Sequence, residues 1–209
     1  MTFKQATTAA IILAVTIAMT SILGVANAHN HEGEKPAMTG INVAALTLPE
    51  ITRGLEAGQF NSQDLTRAYL NRIDTIDRAG PTLNAVIAVN SSAMTLAKKS
   101  DMRRAKGEAL SPLDGVPFLL KDNIESKDRM PTTAGSTALV DNMTRRDSPL
   151  VARLRASGAI ILGKTNLSQW ANFRSSHSVS GWSAVGGLVK NPHVLDRQAC
   201  GSSSGSAAA

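Results

Sequence analysis

Two short apolar runs limit what this chain can become: Val116-Pro117-Phe118-Leu119-Leu120 and Ala159-Ile160-Ile161-Leu162-Gly163. Neither run has a polar side to turn toward water, so both read as strands covered on both faces. Segments of helical pattern surround them. Leu48-Pro49 opens one, with Ile51 and Leu55 on one face and Gly58 at its end. Ser62 caps a second, whose stripe of Leu65, Tyr69, Ile73 and Ile76 stops at Gly80-Pro81. Leu83 to Val89 reads as a further strand, and Asn90 or Ser91 caps a third helix that ends near Gly107. Ser148 and Pro149 start a fourth helix, to Ala156, closed by Gly158. Gly181 to Gly187 reads as glycine-rich and irregular. Helices alternating with short apolar strands give the α/β class.

Lys121-Asp122-Asn123 follows the first apolar run directly. One reading lets Lys121 simply emerge into solvent. The other holds it partly desolvated, with its pKa lowered so that the neutral amine can act as a base. The second run leads into Lys164-Thr165-Asn166 and a short helix.

The last stretch, Cys200-Gly201-Ser202-Ser203-Ser204-Gly205-Ser206-Ala207-Ala208-Ala209, places hydroxyls between glycines and ahead of small residues. Glycine lets the backbone approach a ligand, and serine can donate, accept or attack. The alanines read as the first turn of a tightly packed helix, whose free N–H groups would favour a developing negative charge. The pattern also fits the G-x-S-x-G elbow with Ser203 as nucleophile. Leu195-Asp196-Arg197-Gln198-Ala199 is a poor strand to precede an elbow, and a flexible Gly/Ser linker competes with both readings.

The start reads as a signal peptide over residues 1–28. It has Lys4, an apolar core from Ala9 to Val25, and the A-x-A site Ala26-Asn27-Ala28. An uncleaved anchor is the competing reading; the small residues before His29 favour cleavage and leave no stable membrane anchor. The expected location is therefore periplasmic or secreted. Residues 29–43 read as a flexible linker, in which His29 and His31 belong to a mobile tail rather than to a metal site. The formal charge of +6 comes from dispersed basic residues, with one tyrosine and two tryptophans, which argues against a nucleic-acid partner. The single cysteine, Cys200, excludes an internal disulfide. It reads as a small buried filler rather than a catalytic thiol. No His/Cys/Asp cluster has ligand spacing, so neither a metal nor a cofactor is expected.

With Lys121 and the serine loop placed, the sequence resembles the amidase signature family. The matching pieces are Gly115-Val116-Pro117 with Lys121-Asp122-Asn123, Thr133-Ala134-Gly135-Ser136, and Gly158 through Asn166. Asn191-Pro192 and Gly201-Ser202-Ser203-Ser204-Gly205-Ser206-Ala207 follow in the family's order. Ser204 stands where many relatives carry glycine. Within the family the similarity runs to the bacterial peptide amidases, through Ser168 to Arg174, Ser180 to Ser183, and Asn191 to Arg197. The amidotransferase subunits used in making aminoacyl-tRNA share the core pattern, but a signal peptide argues against that role.

The resemblance implies a mixed sheet wrapped by helices, incomplete over residues 44–209, and a Ser–Ser–Lys triad without cofactor. Lys121 matches the catalytic lysine. Ser202 matches the bridging serine, which the family holds on a cis peptide bond. Gly201, Ser203 and Gly205 are expected to support the loop and the oxyanion region, Ser203 through its own hydrogen bonds. The nucleophilic serine is expected beyond Ala209, so this chain alone is expected to be inactive. The expected substrate is a small amide or a peptide amide, hydrolysed to acid and ammonia. A truncated, non-catalytic binding module is the alternative.

Overall fold

The computed structural model describes residues 41–209. The expected signal peptide, with His29 and His31, lies outside the described residues, as does most of the expected linker.

Helix α1 spans Leu48–Glu56. Thr47 and Glu50 close a capping box at its start, where the Thr47 N–H donates to Glu50 at 2.7 Å. Ile51 and Leu55 are buried and pack against Val43. Helix α2 spans Ser62–Arg72. Its cap is Asn61 rather than Ser62: Asn61 Oδ1 accepts the Asp64 N–H at 2.8 Å. Ser62 has another task, since its buried hydroxyl donates to the Gly115 carbonyl at 2.7 Å. The stripe runs on through a π-helical turn, Ile73–Arg78, that ends before Gly80 as the sequence predicts. That turn presents Asp77, whose carboxylate accepts the Ala85 and Val86 N–H groups at 2.6 and 3.1 Å. Strand β1, Val86–Val89, is therefore shorter than the predicted Leu83 to Val89.

Helix α3 covers Ala93–Ala105 and strand β2 Pro117–Lys121. Helix α4, Pro149–Ala156, begins at its proline with Ser148 as cap. Strand β3, Ile160–Thr165, is buried along its whole length. The stretch predicted to be irregular holds a two-residue hairpin, β4 Trp182–Ser183 and β5 Gly187–Leu188. Helix α5, Ser204–Ala208, follows the serine loop.

The main sheet has the order β1-β3-β2. β3 is antiparallel to β1 and parallel to β2, so the sheet is mixed, as expected. Ile160 and Leu162 pack with Ile73, Ala93 and Ala97 on one side. Ile161 and Leu120 pack with Met130 and Val151 on the other. The β2–β3 register slips between Phe118 opposite Ile161 and Leu119 opposite Gly163. That slip gives β3 one extra residue, a bulge, and past it every β3 side chain changes face. Lys164 consequently shares a face with Leu120, and Thr165 with Lys121.

Candidate active site

Lys121 is the last residue of β2 and is half-buried. Its Nζ donates to Ser202 Oγ at 2.7 Å across the end of the sheet. Burial pushes the Lys121 amine below its usual value. The two residues are far apart in sequence, and β3 brings them together. The Ser168 N–H, just beyond β3, donates to the Ser202 carbonyl at 3.0 Å. The Gly205 N–H donates to the Asn166 carbonyl at 3.0 Å, and the Thr165 and Ser206 hydroxyls meet at 2.7 Å. The Gly201–Ser202 peptide bond is cis, as the resemblance implies.

The glycines of this loop are there for space. A Cβ on Gly205 would run into the Ala85 carbonyl and the Asn166 backbone, so α5 could not seat against the strand end. A Cβ on Gly201 would collide with Ser168 Oγ. Ser203 is exposed, and the hydrogen bond it makes is through its carbonyl, which accepts the Ala207 N–H at 3.1 Å. Cys200 corrects the sequence reading. It is exposed, not a buried filler. Its N–H is tied to Gln198 Oε1 at 2.8 Å and its φ of 57° belongs to the left-handed region, so the residue sits on an outward turn.

Several neighbours carry little or no signal in a residue-by-residue reading. Ser168 holds Ser202 by its backbone N–H, a role any residue type but proline could fill. Asp122 is 1% exposed and accepts the Thr133 N–H at 3.1 Å together with the Thr133 hydroxyl. Lys164 is fully buried, and its position straight after an apolar strand was the available clue.

A broad cavity of about 820 Å³ lies beside these segments, lined by Asn123, Ala134, Trp170, Phe173 and Arg174 among others. A more enclosed one of about 310 Å³, between Tyr69, Leu119, Leu162 and Ala208, touches neither Lys121 nor Ser202. Its lining is mostly apolar, with Arg72 and Asp77, and holds no serine or lysine, so the chemistry of the lysine–serine pair, and not enclosure, locates the site. Among the described residues no group of three His, Cys, Asp or Glu side chains could hold a metal ion.

A family model described as "Amidase" matches residues 64–209. The chain belongs to the amidase signature family. It is 44% identical over 168 residues to a probable amidase from Arabidopsis thaliana, covering 79% of the chain and 32% of the relative. It is 40% identical over 164 residues to a glutamyl-tRNA(Gln) amidotransferase subunit from Coxiella burnetii, covering 78% of the chain and 32% of the relative. Among solved structures it superposes on the native peptide amidase from Stenotrophomonas maltophilia with a TM-score of 0.76. That match has 49% identity and covers 79% of the chain and 34% of the peptide amidase. The chain thus spans about a third of the length of the relatives it matches.

Proposed function

We propose that this chain is the N-terminal part of an exported amidase that hydrolyses a carboxamide, the C-terminal amide of a peptide being the favoured substrate. The observation that carries the reading is the 2.7 Å contact between Lys121 Nζ and Ser202 Oγ. A desolvated lysine beside a serine hydroxyl is a base within reach of a proton. In the proposed sequence, neutral Lys121 takes the Ser202 proton while Ser202 takes one from the nucleophilic serine, which lies past Ala209. The nucleophile attacks the amide carbon, and backbone N–H groups hold the resulting oxyanion. The protons return through Ser202 to the leaving nitrogen, ammonia departs, and an acyl-enzyme remains. Water then attacks the ester, and the acid leaves with the serine restored.

Identity of 49% to a peptide amidase, over 79% of the chain, supports the peptide-amide substrate. Ala26-Asn27-Ala28 supports export to the periplasm or beyond, and mature protein whose N-terminal sequencing starts at His29 is the expected outcome.

The test is ammonia release from an N-acetylated peptide amide. Residues 1–209 alone should release none. A chain whose reading frame continues past Ala209 should release it, and Lys121→Ala in that chain should cut the rate by about 10²-fold or more. Turnover by residues 1–209 that disappears in Lys121→Ala would instead put the nucleophile inside this chain. Turnover unaffected by Lys121→Ala would sink the mechanism.

A further inference from the structure

Lys164 has no part in the chemistry above, yet it is among the most completely enclosed side chains described, at 0% exposure. A buried amine costs desolvation that a methionine of similar length would not, so simple filling does not account for it. Its contacts have a pattern. Nζ donates to the Ile124 carbonyl at 2.7 Å and to Thr132 Oγ1 at 2.9 Å, and it lies 3.8 Å from Asp122 Oδ1. All three partners belong to the two segments that follow Lys121.

Those segments lead straight back to the lysine–serine pair. The Ile124 N–H donates to the Lys121 carbonyl at 2.9 Å, so residues 121–124 form a turn whose far end Lys164 grips. Asp122, next to Lys121, is tied to Thr133 by its side chain, and its carbonyl accepts the Ala134 N–H at 3.1 Å. Asp122 Oδ1 makes no hydrogen bond among the described residues, so the Lys164 ammonium is the nearest charge that compensates it. Burial pushes the Lys164 amine down and the Asp122 carboxyl up, the signature of a pair held out of water.

We infer that Lys164 is a positioning residue: from the opposite face of the sheet it closes the 121–124 turn and so holds Lys121 against Ser202. The inference rests on the reading of Lys121 and Ser202 as the reacting pair. It adds that this pair depends on a second lysine that touches neither Ser202 nor the substrate.

The experiment follows the Lys121 amine directly, by NMR titration of the ¹³C-lysine-labelled chain, with Lys121→Arg to assign the signal. Lys164→Met should raise the Lys121 pKa toward that of a free lysine, about a tenfold change in proton affinity. Thr132→Val removes one Lys164 acceptor without changing any charge. It should move the Lys121 pKa the same way by a smaller amount, which separates geometry from lost charge repulsion. A purely structural role for Lys164 would lower stability and leave the Lys121 titration alone. An unchanged Lys121 titration in folded Lys164→Met, or in Thr132→Val if Lys164→Met does not fold, overturns the inference. The ammonia assay is independent of this result: its failure would remove the amidase chemistry and leave the mechanical link between the lysines standing.

Discussion

The apolar run of β2 closes on Lys121-Asp122-Asn123 and that of β3 on Lys164-Thr165-Asn166, similar triplets after similar apolar runs. Side by side in the sheet they diverge. Lys164 sits opposite Leu120 and Lys121 opposite Thr165. Paired residues share a face, so the two amines leave the sheet on opposite sides. One meets the hydroxyl of Ser202 at a half-open edge. The other is sealed against a carbonyl and a threonine hydroxyl. Residue type and local sequence are nearly the same in the two regions; register decides which lysine is available to react and which becomes a brace.

The comparison breaks most visibly in stability. Lys164→Met should destabilise the fold by about 3–5 kcal/mol in urea unfolding, because it strands the buried Asp122. Lys121→Met should stay within about 1 kcal/mol, since that amine is only half-buried. Equal losses would mean that the two lysines are not divided in this way. Gly205→Ala tests the serine side, and overpacking α5 against Asn166 should cost about 1–3 kcal/mol in the same assay.

A smaller effect lies in pH. Both lysines have folded pKa values below the ordinary one. The unfolded chain therefore binds their protons more readily. Their contribution to stability is fully present above about 10.5, the unfolded value, and is lost as pH falls through the folded values. Stability should rise with pH across that window, and Lys164→Met and Lys121→Met should each flatten the slope. Asp122 has the reverse sign: its pKa is raised, so its contribution is present below the unfolded value and lost as pH rises through the folded one. The smallest effect belongs to Ser203→Ala. It should leave stability within about 0.5 kcal/mol, because that hydroxyl is bonded to nothing described.

What the sequence makes legible follows local rules. Pro149 after Ser148, the Leu48-Pro49 start and the Gly80-Pro81 stop are short-range signals, and the helices obey them. The α/β class follows from the apolar runs. The nearness of Lys121 to Ser202 was expected from the ordered family pieces; no local rule could join residues so far apart. The misses share one cause, competition from distant partners. Ser62 gives up its cap because Gly115 claims its hydroxyl. Residues 83–85 leave the predicted strand because Asp77 takes the N–H groups at its start. Cys200 faces outward because Gln198 turns the backbone there. The role of Lys164 depends on a register slip, which has no residue signature at all.

That slip makes the spacing of β3 a matter of parity. Adding one residue to the strand past the slip, between Gly163 and Lys164, would do more than lengthen it. It would exchange inside for outside along everything downstream, carrying the Lys164 amine toward the serine loop and the Thr165 hydroxyl into the brace. The order of letters in Lys-Thr-Asn would be untouched while their meanings were swapped. Insertions should therefore be tolerated in the loops around this strand and not past its slip, whereas loss of the unpaired Leu162 would only close the slip and leave Lys164 opposite Leu120.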